Sequence, residues 1–190
     1  PVGTDAGKVV IENNYLSNIT LNNASELVVS DNRGNSSNGH AGKFFIDTCK
    51  NITISNNRAQ GVGLYGDTII ILTGNDLNCS NCGGLGSNFV SSSWMYTNIY
   101  IKNGYNFNIS DNNYYVYGWD YGTALKVENC SFGSIYNDTI QLAYSGWSSA
   151  SGNSSNWQYN AAGIAIGYSS NINAYDNVLN NINGYTTGIL

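Results

Sequence analysis

An ungapped pattern of apolar residues recurs along this chain and restricts its fold more than any other feature. In the segment GIAIGYSSNINAYDN, residues 163–177, apolar side chains alternate in two short runs that lie eight residues apart. If Ile164 is numbered as position 1, then positions 1, 3, 9 and 11 are apolar and position 14 is Asn; we call this unit the cassette. Further copies begin at Ile19, Phe44, Val62, Ile99 and Leu125. The copy at Leu125 is the weakest, because it has Gly133 at position 9 and Asp138 at position 14.

Each cassette predicts two short β-strands with one buried face, joined by a turn at positions 4–8. Position 16 is apolar in several copies, as Leu77, Ile140 and Leu179, and predicts a third strand. One cassette cannot bury its own apolar face, but successive copies stacked at the ~4.8 Å spacing of paired strands would form a continuous core. The sequence therefore predicts one all-β domain over residues 1–190, a parallel β-helix solenoid of about six to seven turns.

The Asn at position 14 has a separate explanation. A tight corner between strands needs a residue that tolerates the left-handed conformation, and Asn does so at low cost. Stacked Asn side chains can also hydrogen-bond to one another along the axis of the solenoid. We expect such an Asn ladder, interrupted by Asp138, to contain Asn14, Asn32, Asn57, Asn75, Asn112 and Asn177.

With these cassettes and this column of Asn, residues 9–190 resemble the right-handed parallel β-helix superfamily, the pectate-lyase-like fold. The resemblance implies a right-handed coil. It does not specify an activity, because this superfamily includes lyases, hydrolases, phage tailspikes, adhesins and surface proteins. A leucine-rich-repeat horseshoe is the less favoured alternative, because the repeats lack its Leu spacing and contain no helix-period segment.

Catalytic motifs of the superfamily are missing, so we predict no catalytic, metal or cofactor site and favour a protein that is not an enzyme. Its pectate lyases bind Ca²⁺ through Asp residues of neighbouring turns, but here Asp31, Asp111 and Asp176 share position 13 in turns that are not adjacent. An inverting pair of carboxylates needs a separation of ~6.5–9.5 Å, which Asp47 could reach only by accident with Asp31 or Asp67. His40, the only His, lies in a polar loop, where a solvated residue is the simpler interpretation.

Low charge narrows the classes of partner. Charged residues make up 10% of the chain, the formal net charge is −5, and Lys and Arg form no run, so nucleic acid is disfavoured. No apolar stretch approaches the ~18 residues of a membrane span. No signal peptide is visible, so the chain is expected to be a mature protein or a fragment.

Nine Asn-x-Ser/Thr sequons predict N-linked glycosylation of an extracellular or cell-surface protein. All nine avoid positions 1, 3, 9, 11 and 14 of the cassette and fall in turns, in loops or on outward positions. We expect several of them to carry glycans, with Asn35 and Asn153 the most accessible. The nine are Asn18, Asn23, Asn35, Asn51, Asn78, Asn108, Asn129, Asn137 and Asn153.

Four cysteines in so polar a chain also indicate an oxidising, extracellular setting. Cys49 and Cys130 share cassette position 6, three turns apart, and the ~14 Å between them is too long for a disulfide. We predict that the segment 76–98, which contains Cys79 and Cys82, supplies a partner to each of them. The alternative is a local Cys79–Cys82 bridge with two buried free thiols.

These features favour an extracellular structural glycoprotein that assembles with copies of itself, head to tail, into a filament. The chain begins with half a cassette, Val9, Ile11 and Asn14, and ends in Gly188-Ile189-Leu190, which matches the start of another. Two other interpretations of the ends remain open: residues 1–8 could fold over as a cap, or these residues could have been cut from a longer solenoid.

Two other function classes also remain open. A carbohydrate-active lyase or hydrolase would need a cluster of acids around a bound Ca²⁺. A glycan-binding adhesin or tailspike-like module would show an exposed aromatic groove. The run YYVYGWDYG, residues 114–122, could stack on sugar rings or pack inside the solenoid, and the segments 76–98 and 139–163 are predicted to project as long loops.

Overall fold

A computed structural model describes residues 6–34, 41–80, 96–118, 122–144, 161–181 and 186–189, and every regular element in them is a β-strand. The strands are β1 (Ala6–Glu12), β2 (Tyr15–Leu16), β3 (Ile19–Asn22), β4 (Ala24–Ser30), β5 (Arg33–Gly34), β6 (Ala41–Asp47), β7 (Lys50–Ser55), β8 (Arg58–Tyr65), β9 (Thr68–Thr73), β10 (Asp76–Ser80), β11 (Tyr96–Lys102), β12 (Tyr105–Ser110), β13 (Asn113–Gly118), β14 (Gly122–Glu128), β15 (Ser131–Tyr136), β16 (Thr139–Tyr144), β17 (Ala161–Gly167), β18 (Ser170–Tyr175), β19 (Val178–Asn181) and β20 (Thr186–Ile189).

All pairings are parallel, and each sheet joins strands from successive turns. The seven-stranded sheet has the order β1-β4-β7-β9-β12-β15-β18 and contains positions 9 and 11 of every cassette. The eleven-stranded sheet contains two sets of strands, those with cassette positions 1 and 3 and the third strands. The two sets join at the long strand β8. A small sheet pairs β2 with β5. The predicted all-β parallel solenoid is therefore confirmed.

The register places equivalent cassette positions one above another, so the core is continuous. Val62 pairs with Phe44 on one side and Ile99 on the other, and Ile70 pairs with Ile52 and Phe107 in the same way. The inward residues of the middle turns are buried. In the first and last turns Ile19 and Ile164 are buried, but other inward residues are only partly buried, and these are Val9, Ile11, Leu21, Ile166, Ile172 and Ala174.

The weak cassette fills its core in an unusual way, because Gly133 has no side chain at position 9. The neighbouring Phe132 does not take its place, since Phe132 is 52% exposed. Phe107 of the preceding turn fills the space instead, since a Cβ on Gly133 would overlap its ring. Glycine at this position makes room for the larger neighbour.

The left-handed residues do not lie where the sequence suggested. Position 14 was expected to adopt the left-handed conformation, but positive φ angles of 53–66° occur at position 13 instead, at Asn13, Asp31, Asn56, Gly74, Asp111, Asn137 and Asp176. The same conformation recurs at positions 5 and 8. The chain turns at position 13, and this turn directs the side chain of position 14 inward.

The third strands begin inside the two segments that were predicted to be loops. Residues 76–80 form β10 and residues 139–144 form β16, with Leu77, Ile140 and Leu142 buried in the core. Residues 81–95 and 145–160 lie outside the described residues. Within the described ranges no helix is long and apolar enough to cross a membrane.

Candidate functional site

The Asn corner is the column of position-14 residues between the seven-stranded sheet and the third strands. In successive turns the backbone N–H donates to the side-chain oxygen of the residue above. The distances are 3.0 Å for Asn14 to Asn32, Asn32 to Asn57, Asn57 to Asn75 and Asn75 to Asn112, 2.8 Å for Asn112 to Asp138, and 3.0 Å for Asp138 to Asn177. Asp138 accepts bonds as its Asn neighbours do and does not interrupt the column.

The mixed corner is the column of position-6 residues, which are Ala24, Cys49, Asp67, Gly104, Cys130 and Ser169. Here too a backbone N–H reaches the side chain of the turn above. Ala24 donates to Cys49 Sγ at 3.3 Å, and Cys49 donates to Asp67 Oδ1 at 2.6 Å. Cys130 accepts from Gly104 at 3.2 Å and donates to Ser169 Oγ at 3.0 Å. One geometry is therefore satisfied by thiol, carboxyl and hydroxyl groups.

Cys49 and Cys130 are free, buried thiols, so the structure shows no disulfide at either of them. The physical reason is that each Sγ lies inside the mixed corner and already bonds to backbone groups of its own and neighbouring turns. Burial raises the pKa of both thiols, so thiolate chemistry is suppressed. The side chains of Cys79 and Cys82, and with them the alternative local bridge, lie outside the described residues.

The acids considered for catalysis do not gather into one site, although Asp47 lies close enough for its charge to raise the pKa of Asp67. Asp67 is fully buried in the mixed corner, whereas Asp31 lies exposed at position 13, on a different corner of the solenoid from Asp47. Arg58 pairs with Asp76 at 3.1 Å. His40 lies outside the described residues, and within the described part of the chain no three His, Cys, Asp or Glu side chains are grouped to hold a metal ion.

A charged cluster lies on the outer face of the eleven-stranded sheet, on β11 and β14. Glu128 accepts a hydrogen bond from Tyr100 Oη at 2.9 Å. It also forms ion pairs with Lys126 at 3.1 Å and with Lys102 at 3.5 Å. Burial opposes ionisation of Glu128, but the bonds from Tyr100 and Lys126 and the two positive charges hold its pKa below the ordinary value.

Burial, together with the bond to Glu128, raises the pKa of Tyr100 far above its ordinary value. An ionised carboxylate held by two lysines is not an acid, and a phenol that donates to it is not a base. The charged cluster is thus a closed ion-pair network.

An aromatic strip lies exposed on the outer face of the seven-stranded sheet. Tyr105 and Phe132 meet edge to face with ring centroids 5.3 Å apart, and Tyr136 and Tyr175 stack at 5.1 Å. Between the two pairs runs a row of polar residues on adjacent strands: Asn108, Ser134 and Asn173. Of the run at 114–122, by contrast, Tyr114 is buried and donates to Asp138 Oδ2 at 3.3 Å, and residues 119–121 lie outside the described ones.

The opposite end of the same outer face is aliphatic. A shallow depression of about 280 Å³ is lined by Val28, Ile69 and Ile71, with Glu26 and Asn51 at its edge. Its lining contains one carboxylate and no positive charge. This depression shows no convergent set of polar groups that would select a ligand.

The sequons differ in what their side chains do. Asn18, Asn23, Asn51, Asn129 and Asn137 are exposed, and all but Asn18 adopt the left-handed conformation. Asn108 is half-buried, with its amide nitrogen 3.4 Å from Tyr136 Oη and its amide oxygen buried. Asn35 and Asn153, expected to be the most accessible, and the side chain of Asn78 lie outside the described residues.

Both ends of the Asn corner are open within the described residues. The side-chain oxygen of Asn14 accepts no bond there, although its amide nitrogen donates to the carbonyl of Glu12 at 2.8 Å. At the other end, the backbone N–H of Asn177 donates to no described residue, while its side chain bonds to Asp138 and Ile135. The column thus offers an acceptor at one end and a donor at the other.

No protein family, curated protein or solved structure matches this chain. The features that sequence reasoning missed are the mixed corner, the charged cluster and the aromatic strip. The mixed corner has no common residue type to reveal it. The other two unite residues from strands about 25 to 40 positions apart that become neighbours only after the turns are stacked in register.

Proposed function

We propose that this chain is an extracellular structural or surface glycoprotein that assembles with copies of itself, head to tail along the solenoid axis, into a filament. Right-handed coiling and kinship with non-catalytic secreted members of the pectate-lyase-like superfamily belong to the same proposal. The observation that carries it is the polarity of the Asn corner: among the described residues the side-chain oxygen of Asn14 accepts no bond and the backbone N–H of Asn177 donates none.

The strands at the two edges support this arrangement. β1 and β18 are the outermost strands of the seven-stranded sheet; no other described strand pairs with their outer edges, which lie beside half-buried core residues. A second copy placed with its β1 against β18 would continue the parallel sheet and cover Ile172 and Ala174. Such a head-to-tail contact does not close on itself, so it generates a filament.

Electron microscopy and sedimentation of the 190-residue chain test the assembly. We expect filaments one solenoid wide whose length grows with protein concentration. The variant Ile11→Lys should remain monomeric, because it places an ammonium group in the apolar section that the next copy must cover. Val10→Lys is the matched control, since Val10 is the outward neighbour on the same strand and its substitution should leave assembly intact. Monomers at every concentration would contradict the proposal, as would equal effects of the two variants in folded protein.

A second experiment tests the register. Val10 and Asn173 share position 10 and would lie one strand apart across the contact, within the ~7 Å that a disulfide requires. The double variant Val10→Cys with Asn173→Cys should form an intermolecular disulfide ladder under oxidation. The pair Val10→Cys with Asn171→Cys, displaced by two residues along the strand, should not. If filaments cross-link only through the displaced pair, the assembly proposal would stand but the proposed register would be refuted.

Glycan attachment is expected at the open sequons. Asn23 and Asn137 are exposed at left-handed corners, and neither amide is bonded to another described residue. Asn108 should remain bare, because its amide is engaged with Tyr136 and half-buried. Glycopeptide mapping of the secreted protein measures this difference. Occupancy at Asn108 with Asn23 and Asn137 empty would contradict it.

Glycan binding is the second candidate function, and the aromatic strip favours it. Aromatic faces flanking a row of amides and a hydroxyl offer apolar stacking and hydrogen bonds to an uncharged sugar chain. Titration calorimetry with neutral oligosaccharides would test this. Tyr136→Ala and Tyr175→Ala should abolish binding, whereas Tyr15→Ala, at an exposed Tyr outside the strip, should not. Loss of binding in all three variants, or in none, would remove the aromatic strip as the site.

A further inference from the structure

Each of the two corners contains one aspartic acid at a position where the equivalent residues of other turns donate a hydrogen bond to a backbone carbonyl. In the Asn corner, the side-chain nitrogen of each Asn donates to the backbone carbonyl of position 11 in the preceding turn. The distances are 2.8–3.2 Å at Asn32, Asn57, Asn75, Asn112 and Asn177. Asp138 occupies position 14 of its own turn, and the position-11 carbonyl of the preceding turn is that of Ile109.

The mixed corner repeats this situation with different chemistry. The thiols of Cys49 and Cys130 and the hydroxyl of Ser169 each donate to the carbonyl of position 4 in their own turn, at 3.4, 3.2 and 2.8 Å. Asp67 occupies position 6 of its own turn, and the position-4 carbonyl of that turn is that of Tyr65. Its Oδ1 accepts from the N–H of Cys49, and its Oδ2 is buried without a partner among the described residues.

An ionised carboxylate accepts the N–H and O–H groups that point at these acids, but it leaves the carbonyl at either place without the donor found in the other turns. It is an acceptor only, so it cannot supply the donor that the repeated geometry requires. Both acids are fully buried, with 0% of the residue exposed, and an unpaired buried charge is strongly disfavoured. A protonated carboxyl has the shape of the Asn amide and provides one O–H group.

Burial is the largest influence on both acids, and it outweighs the hydrogen bonds that favour their ionised forms. Burial raises the pKa of Asp67 to about 7; the charge of Asp47 acts in the same direction, and backbone hydrogen bonds with Cys49 and Tyr65 act against it. Burial raises the pKa of Asp138 to about 6, helped by the charge of Asp111 and opposed by bonds from Asn112 and Tyr114. No described Lys or Arg contributes to either shift.

We propose that Asp67 and Asp138 each carry a proton in the folded protein at mildly acidic pH, and that loss of these two protons loosens the corners. The O–H of Asp67 donates to the carbonyl of Tyr65, and that of Asp138 donates to the carbonyl of Ile109. In the unfolded chain both acids ionise near their ordinary pKa of 3.8. The stabilisation is therefore complete below about pH 4 and is lost as the pH rises through 6 and 7. At these two positions acid stabilises the solenoid, whereas Glu128, whose pKa is lowered by its partners, contributes in the opposite direction.

Calorimetric unfolding of the natural chain at about pH 5.5, in buffers of different ionisation enthalpy, counts the protons directly. Unfolding should release between one and two protons per chain, because the folded state holds them and the unfolded state does not. Release of none, or net uptake, would overturn the proposal. This measurement uses no variant, so it decides the question even if a substituted chain fails to fold.

Substitution then assigns the protons. Asp67→Asn and Asp138→Asn supply a permanent donor of the same shape, so each should reduce the proton release and raise the Tm at about pH 8 by several degrees, with little change at about pH 4. Asp31→Asn removes an exposed acid and should keep the natural pH dependence. Variants that follow the natural profile, or lose stability equally at both pH values, would show that the carboxylates are ionised in the native fold.

Discussion

The two corners of this solenoid solve one structural problem in different ways. At both, the chain must turn sharply between sheets while its backbone N–H groups remain paired inside the fold. The Asn corner uses the same side chain in almost every turn, and Asn57 and Asn75 each bond to a neighbouring amide and to two backbone carbonyls. The mixed corner uses four kinds of small side chain, with fewer bonds at each.

This difference follows from what each corner must supply. The side chain at position 14 is a donor to the preceding turn and an acceptor for a backbone N–H below it, and the primary amide of Asn does both at a short reach. At position 6 one acceptor and one weak donor suffice, so a thiol, a hydroxyl or a protonated carboxyl serves. The uniform corner should therefore be intolerant of substitution, and the mixed corner should depend on local packing.

The largest expected effect is at the centre of the Asn corner. Asn75→Ala would leave the backbone N–H of Asn57 without its acceptor and would remove one hydrogen bond each from the carbonyls of Ile54 and Thr73. At about 1–3 kcal/mol for the buried unpaired N–H and about 1 kcal/mol for each lost bond, the free energy of unfolding should fall by about 3 kcal/mol or more. Urea denaturation measures it. Asn14→Ala, at the exposed end of the column, should cost under about 1 kcal/mol, and equal losses would show that the column adds no stability of its own.

The Asn corner is also the part of the fold that the sequence predicts best. Asn57 and Asn75 stand at a fixed distance from apolar residues whose alternation defines the strands, so the pattern gives both the solenoid and the column. The position of the left-handed residue was wrong because positions 13 and 14 both contain Asn or Asp in several turns. Composition cannot tell which of two adjacent residues turns the chain and which points inward.

The mixed corner could not be predicted in the same way. Cys49 and Cys130 share a position, but cysteine suggests disulfides more readily than a hydrogen-bonded corner. Nothing in the sequence marks Asp67 as buried, because charged residues are seldom buried. Its role becomes visible only when the turns above and below it are placed, and the same holds for the aromatic strip.

The next largest loss of stability is expected at Gly104 in the mixed corner, where it should arise from packing. A Cβ there would lie 2.6 Å from Cγ2 of Ile101 and 3.4 Å from Sγ of Cys130. Because Ile101 is β-branched and fully buried, it cannot move aside cheaply. We expect Gly104→Ala to lower the free energy of unfolding by about 1–3 kcal/mol, although Ala24 fits the same position in its own turn. Thermal and urea unfolding would both show it, and an unchanged midpoint would mean that the corner adjusts freely.

Hydrogen bonding alone should produce a smaller effect at Cys130. Cys130→Ala removes the acceptor for the N–H of Gly104 and the donor to the carbonyl of Glu128, at a cost of about 1–2 kcal/mol. Cys130→Ser retains both functions, as Ser169 does one turn above. The serine variant should therefore unfold at a higher urea concentration than the alanine variant. The reverse order would mean that the thiol contributes through its volume and not through its bonds.

The smallest effect should be a gain in stability, at the left-handed residue that precedes the mixed corner. Position 5 is Asn at Asn103 and Asn129, where one amide donates to the other at 2.6 Å, but it is Tyr168 in the next turn. Tyr168 is 93% exposed with φ of 51°, so its ring gains little packing while its backbone lies in a conformation that disfavours large side chains. Tyr168→Asn should relieve that strain and extend the amide pair, raising the free energy of unfolding by about 1 kcal/mol. Tyr15→Asn is the control: it changes an exposed Tyr at a residue without positive φ and should give no gain in stability. Equal increases in the two variants would mean that the gain comes from removing a surface aromatic ring and not from the corner.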